Sequence, residues 1–332
     1  MKNRQWLLAR RPQGAIRNSD FNFVETDVPT PGEGEVLVRN LMLSCDPTQR
    51  GWIAFDTYLP AVKIGEVIRS IGAGRIVASN NPGFAVGDVV SGLIGWQDYV
   101  VMNSKGQLNK LPPGAPLELA MSALGLTGVT AYFGLLEVGR PVAGETVVVS
   151  GAAGATGSVA GQIAKIKGCH AIGIAGGAEK WHWLTDEAGF DAAIDYKSED
   201  VQARLKELCP KGVDIFFDNV GGDILDAALA RLAMRGRVVL CGGIANYNAT
   251  EPPPGPKNYL NLIVRRGRME GFIVTDYMPR AAEAIGALAG WVQAGKLKNK
   301  VDVQHGLENA PETLRRLFEG RNEGKQLLRV AE

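Results

Sequence analysis

The run "VVVSGAAGATGSVAGQIAK", residues 147–165, sets Gly151, Gly154, Gly157 and Gly161 between an apolar stretch and a helix-spaced one. Glycine serves a tight strand-to-helix turn, close packing of helix on strand, or backbone N–H groups aimed at a phosphate. The spacing Gly154-x-x-Gly157-x-x-x-Gly161 is a relative of G-x-G-x-x-G rather than that motif itself, so its surroundings decide its meaning. The turn Gly154-Ala155-Thr156-Gly157 is the candidate pyrophosphate cradle. A second run, "CHAIGIAGGAEK", ends its apolar part at Ala175-Gly176-Gly177-Ala178, with Lys180 just beyond. An acid at such a tip would bond a ribose 2′-hydroxyl and select NAD. Here Gly177 leaves room for a 2′-phosphate and Lys180 carries the charge to neutralise it, although Glu179 argues mildly the other way. These residues favour NADP.

The elements that must position those residues follow from the texture of the chain. Residues 1 to about 120 are short apolar runs cut by Gly and Pro, such as "GEVLVRNLMLSCDP" and "FAVGDVVSGLIGWQDYVVM", and predict a β-rich, barrel-like domain. From Pro116 the spacing turns helical, and then strands and helices alternate. Strands are expected at about 145–150, 170–175, 192–195, 213–218 and 236–241, with helices near 157–167, 178–188, 199–208 and 222–234. That alternation predicts an α/β, doubly wound parallel sheet with right-handed crossovers. The glycine run follows the first of these strands and opens the first helix, which is where such a fingerprint means dinucleotide binding. "RMEGFIVTD" reads as a further strand, and the tail as strand–helix–strand able to rejoin the first domain.

Composition narrows the partners. The 332 residues suit one large or two medium domains, and 36 Lys and Arg nearly balance 35 Asp and Glu, so no nucleic acid or anionic membrane is expected. No apolar stretch reaches transmembrane length, and the N-terminal apolar patch is too short for a signal peptide. Cys45, Cys169, Cys209 and Cys241 stand singly, which favours free thiols and a cytoplasmic location.

The ordered segments "LGLTGVTAYFGLLEVG", "GAAGATGSVAGQIAK", "FFDNVGG", "CGGIANYN" and "GKQLL" resemble the medium-chain dehydrogenase/reductase superfamily. Within it the chain is similar to the zinc-independent branch of leukotriene B4 12-hydroxydehydrogenase/prostaglandin reductases, plant double-bond reductases and bacterial curcumin-type reductases. The resemblance covers nearly the whole chain. It implies a GroES-like catalytic domain over residues 1–122 and 301–332 and an NADP-binding Rossmann domain over 123–300, with the active site in the cleft between them. It also implies NADPH-dependent reduction of the C=C bond of a small hydrophobic α,β-unsaturated ketone or aldehyde, by a homodimer. The alternatives are a quinone reductase, a CoA-linked enoyl reductase and a non-enzymatic NADP(H)-binding protein.

Carried over residue by residue, the resemblance adds Tyr196 of "DYK" and Asn219 of "DNVGG" to the glycine turn and Lys180 at the NADP site. Cys241, Gly243 and Asn248 of "CGGIANYN" are placed beside the nicotinamide ribose, Asn322 of "GRNEGK" at the cofactor, and Thr130 near the nicotinamide end. Two departures touch the chemistry. The tyrosine of the family's "LIYxxxRMEGF" is Val264 here, and that of "DPYMR" is Thr48. Hydride attack on an enone puts charge on the carbonyl oxygen, so a donor must be found elsewhere. Tyr259, Tyr247 in the proline-rich loop 244–258, and Arg50 are the candidates, with Trp52, Tyr58 and Trp96 as a candidate apolar wall. A catalytic zinc is not expected, because His170, His182 and His305 all lie outside residues 1–122 and "IGE" at 64–66 lacks the histidine of the zinc enzymes' "GHE".

Overall fold

The computed structural model describes residues 1–103 and 108–332. The chain forms two compact units, Met1–Met121 with Val301–Glu332, and Ser122–Lys300.

The first unit begins with β1 (Lys2–Leu8), β2 (Phe21–Asp27), β3 (Glu35–Ser44) and the short α1 (Gln49–Trp52). It continues through β4 (Gly72–Ser79), β5 (Val89–Gly92), β6 (Tyr99–Asn103), β7 (Leu108–Lys110) and α2 (Leu117–Ala120). The second unit follows with α3 (Leu126–Phe133), β8 (Thr146–Ser150), α4 (Ala155–Ile166), β9 (His170–Ala175), α5 (Ala178–His182) and β10 (Ala192–Asp195). Then come α6 (Val201–Leu208), β11 (Val213–Asp218), α7 (Gly222–Ala230), β12 (Leu232–Leu240), α8 (Asn261–Arg265), β13 (Arg268–Gly271) and α9 (Ala281–Gln293). The tail returns to the first unit as β14 (Val301–His305), α10 (Ala310–Phe318) and β15 (Lys325–Arg329).

In the first unit β3 is the central strand: it pairs antiparallel with β4, β6 and β15, so "VLV" and "LMLS" are buried on both faces. Its one interior amide, Asn40, is tolerated because Nδ2 donates to Gln97 O at 2.7 Å and Gly95 O at 3.2 Å. Leu8, Val36, Val38, Ile68, Ile76, Trp96, Leu314 and Leu328 form the core around it. The tail inserts β15 between β14 and β3. Lys325 on that strand is buried, pairs with Asp46 at 2.6 Å and donates to Cys45 O at 3.1 Å. Removing either partner of such a pair would strand a buried charge, so the tail and the turn after β3 are locked together.

In the second unit six parallel strands lie in the order β10-β9-β8-β11-β12-β13. "TVVVS", "HAIGIA" and "VDIFFD" are almost continuously apolar because helices cover both faces of such a sheet. The order reverses between β8 and β11, where a doubly wound sheet opens a crevice at its C-terminal edge. This is the α/β architecture expected from the alternation. One boundary differs. The helix expected over 222–234 stops at Ala230, and β12 starts at Leu232. Leu232 continues the helical spacing of Leu225, Ala228 and Leu229, but it pairs with Val213 ahead of an irregularity in the β11–β12 register. Arg235 there takes φ 60°, which no helix can hold.

Candidate functional site

Strand β8 ends at the buried Ser150, and Gly151 turns the chain with φ 58°. Gly154, extended at φ −85° and ψ 176°, is the N-cap of α4, and no side chain caps this helix. Its first internal bond runs from Ser158 N to Gly154 O at 3.0 Å, so the N–H groups of Ala155, Thr156 and Gly157 have no acceptor within the helix. An uncapped helix N-terminus at the strand-order reversal is a place for an anion. Not every glycine here is explained by it. A Cβ on Gly157 would come within 2.4 Å of Gly151 O, and one on Gly161 within 1.9 Å of the Phe190 ring. Gly157 and Gly161 are therefore packing glycines, and Gly157 faces an anion with its N–H alone.

Beside this turn a network that the sequence reading missed holds the end of β11. Asp218, fully buried, accepts from Ser150 Oγ at 2.7 Å, Val220 N at 3.0 Å and Gly221 N at 3.0 Å. Burial raises its carboxyl above the ordinary value, against the pull of those donors. Asn219 N–H donates to Ser150 Oγ at 2.8 Å and its Nδ2 to Ser150 O at 2.7 Å, so Asn219 bridges the two strands that flank the reversal. The available signal was a Ser and an Asp, each closing an apolar strand.

The end of β12 is tied to the same point, since Cys241 N and Gly242 N donate to Asp218 O at 2.9 and 3.0 Å. The Cys241 thiol is pushed up to about 12 by burial and then by Asp218, so it is a neutral packing group. Tyr247 Oη accepts from Gly243 N at 3.2 Å, folding the start of the proline-rich loop back over this strand end. Asn248 Oδ1 is buried without a hydrogen-bond partner among the described residues. An orphaned acceptor of that kind fits a ligand carrying N–H or O–H donors.

At the edge of the sheet, Asp195 closes β10 and accepts from Gly177 N at 2.8 Å, Lys197 N at 3.0 Å and Ser198 Oγ at 2.9 Å. The Gly177 N–H, first among these, holds its carboxyl below the ordinary value. The tip of β9 carries no acid, and the nearby acid is occupied with the turn rather than offered to a ribose. Gly177 takes φ 97°. A Cβ on Gly176 would lie 2.8 Å from the Tyr196 ring and 2.9 Å from Lys197 Cε, so both side chains lie over the turn. Lys180 projects from α5 just beyond. Lys197 is a second cation here that the sequence reading did not single out.

Other candidates are placed differently. Arg50 is buried and donates to Pro12 O at 3.3 Å and Gly14 O at 3.0 Å, while burial lowers its pKa; as a catalytic donor it is corrected to a brace of the 12–14 loop. Thr130 Oγ1 donates to Leu126 O at 2.7 Å, one turn back in α3, so its proton is not offered to a ligand. Trp96 lies in the core of the first unit and Trp52 is 4% exposed, so neither forms an exposed wall. Asn322 Nδ2 donates to Gly324 O at 2.8 Å within the tail. Tyr259, 54% exposed, precedes α8, and among the described residues its phenol has no hydrogen-bond partner.

Among the described residues no group of three or more His, Cys, Asp or Glu could hold a metal ion, and no helix is long and apolar enough to cross a membrane. Residues 4–111 match the family model "N-terminal domain of oxidoreductase" and residues 155–289 the model "Zinc-binding dehydrogenase". The chain is 43% identical to the NADPH-dependent curcumin reductase of Escherichia coli, over 99% of this chain and 97% of that protein. It is 40% identical to the NADP(+)-dependent 2-alkenal reductase of Nicotiana tabacum, over 100% and 98% of the two chains. The solved structure of CurA from Vibrio vulnificus in complex with NADPH superposes with a TM-score of 0.94 at 40% identity, over 99% of each chain. An end-to-end likeness of this degree leaves one placement: the chain belongs to the medium-chain dehydrogenase/reductase family, in its zinc-independent branch of curcumin and alkenal reductases.

Proposed function

We propose that this protein reduces the C=C double bond of α,β-unsaturated ketones and aldehydes with NADPH. One observation carries the reading above the rest: the full-length likeness to a curcumin reductase and a 2-alkenal reductase falls on a nucleotide end whose donors suit NADPH. The N–H groups of Ala155, Thr156 and Gly157 hold the pyrophosphate at the head of α4. Lys180 and Tyr196, joined by Lys197, take the 2′-phosphate beside Gly177. Asn219, Gly243 and Asn248 line the ribose and nicotinamide part, with Asn248 Oδ1 finding there the donor it lacks. Bound NADPH supplies the hydride. The chain's own residues orient that cofactor and must stabilise the negative charge that develops on the substrate's carbonyl oxygen. Tyr247, with its oxygen engaged by Gly243 N–H, braces the nicotinamide end.

The partner of the folded chain is a second copy of itself. Tyr259, Leu260, Ile263 and Val264 are 54%, 55%, 74% and 60% exposed, an apolar face on and just before α8, and the edge of β13 lies open in the same unit. Both features call for cover, and a symmetric dimer supplies it. Four cysteines without a disulfide suit the reducing cytoplasm.

The test is NADPH oxidation with a simple enone, the matching saturated ketone and a quinone as acceptors. The reading expects turnover on the enone to the saturated ketone and little on the other two. Turnover confined to the quinone would replace it with quinone reduction, and NADPH binding without any turnover with a binding role.

A further inference from the structure

Strand β10 runs parallel to β9 at the outer edge of the sheet, with Asp195 in register with Ala175. The pairing continues one residue further, where Tyr196 N donates to Ala175 O at 3.1 Å. That register sets the Asp195 side chain beside Gly177, two residues beyond Ala175, whose φ of 97° disfavours any residue with a Cβ. One carboxylate then serves two turns. Its Oδ1 accepts from Gly177 N at 2.8 Å, in the turn after β9, and from Lys197 N at 3.0 Å, in the turn after its own strand. Its Oδ2 accepts from Ser198 Oγ at 2.9 Å, so both oxygens are held and the carboxyl group cannot turn freely. Glu199 Oε2 steadies the same residue by accepting from Asp195 N at 2.8 Å.

The two turns joined in this way carry the groups that suit a phosphate. The Tyr196 ring and the Lys197 stem lie close over Gly176, where a Cβ would meet them at 2.8 and 2.9 Å. Both side chains are exposed, so the phenol and the ammonium face outward beside a surface of bare glycine backbone. The acid at their base points the other way in charge. A free carboxylate at such an edge would bond a ribose 2′-hydroxyl and favour NAD, and it would repel a 2′-phosphate. Asp195 instead has three of the protein's own donors on its two oxygens. A group that opposes the ligand by charge, yet is bonded to both turns of its seat, acts through geometry.

We propose that Asp195 is a positioning residue for NADP. By accepting from Gly177 N–H and Lys197 N–H at once, it holds the glycine turn and the Tyr196–Lys197 pair at the spacing a 2′-phosphate needs. The inference rests on the cofactor placement above and deepens it. The acid at the sheet edge favours NADP through the turns it joins, and it touches no ligand atom itself.

Equilibrium titrations with NADPH and with NADH, followed by the fluorescence of the cofactor, separate position from charge. Asp195→Ala releases both N–H groups and is expected to weaken NADPH binding on the order of tenfold. NADH binding should hardly change, which also shows that the nucleotide site is still folded. Asp195→Asn keeps Oδ1 as the shared acceptor and removes the charge, so it should restore NADPH binding to the wild-type level or above. Lys197→Ala should weaken NADPH binding in the wild type and cost less in Asp195→Ala, where the lysine is already displaced. Equal weakening of both cofactors by Asp195→Ala would overturn the assignment, as would no weakening of either. Asp195→Asn as weak as Asp195→Ala, or a fully additive cost of Lys197→Ala, would overturn it too. Weakening of NADH alone would make Asp195 a ribose-binding acid. In each of these cases a selective loss of NADPH binding in Lys180→Ala leaves the cofactor placement standing. A wild type that binds NADPH no more tightly than NADH, with Lys180→Ala silent, would overturn both.

Discussion

Strands β10 and β11 end alike and behave in opposite ways. Each closes with an aspartate whose carboxylate accepts from the backbone of a glycine-containing turn: Asp195 from Gly177 and Lys197, Asp218 from Val220 and Gly221. At the sheet edge, near water, those donors win and Asp195 is held below the ordinary value. Beneath the strand-order reversal desolvation wins and Asp218 is raised, with Ser150 Oγ among its partners. The same device is thus a cheap anion at the edge and a costly one at the centre. The costly one sits where three strand ends meet, because β8, β11 and β12 all bond to the Ser150–Asp218 pair or its backbone. Hydrogen bonds are thus concentrated at the turn after β8, while the turn after β9 is held from the sheet edge by Asp195.

The largest effect that would break this contrast is at Asp218. Asp218→Ala leaves Ser150 Oγ and two backbone N–H groups buried without their acceptor. It should cost about 3 kcal/mol of stability in denaturant unfolding, the range for breaking a buried charged network. A loss no greater than that of an exposed residue would show that the network is not a keystone.

Next comes Lys180→Ala, which removes a cation from the sheet edge. NADPH binding should weaken by about 1.5–3 kcal/mol, the range for bonds to charged groups, while NADH binding hardly changes. Equal weakening of the two cofactors would remove the 2′-phosphate from the account.

The smallest effect is the pH signature. With its folded pKa lowered, Asp195 stabilises the protein above the unfolded value of about 4, and that contribution fades as pH falls through the still lower folded value. With its folded pKa raised, Asp218 has the opposite sign: its contribution is complete below about 4 and is lost as pH rises through the folded value. Stability differences between wild type and Asp195→Asn, and between wild type and Asp218→Asn, should therefore slope in opposite directions with pH. Parallel slopes would dissolve the comparison.

Much of this was legible in the chain. Parallel strands buried on both faces must be apolar, so "TVVVS", "HAIGIA" and "VDIFFD" announced the sheet, and the glycines after the first of them announced the turn. The NADP reading came from a strand tip without an acid and a lysine beyond it, and the likeness to NADPH-dependent relatives supports the same cofactor. What stayed hidden was direction. Arg50 reads as an available cation, but only the fold turns it onto Pro12 and Gly14. Gly157 and Gly161 read as phosphate glycines, but the neighbours that forbid a Cβ are Gly151 O and Phe190, at least six residues away in one case and 29 in the other. Thr48 and Tyr58, whose hydroxyls lie 3.1 Å apart, share no periodicity that would pair them, because the loop between them belongs to neither helix nor strand spacing. The β12 boundary was lost because Leu232 fits a helical stripe and a strand equally well.

The most direct test of the central claim is to follow the label from NADPH deuterated at C4 of the nicotinamide into the product of an α,β-unsaturated ketone. The account predicts one deuterium at the β-carbon, an intact carbonyl and a solvent-derived hydrogen at the α-carbon. Deuterium on a carbinol carbon, or a product with its C=C bond retained, would contradict it.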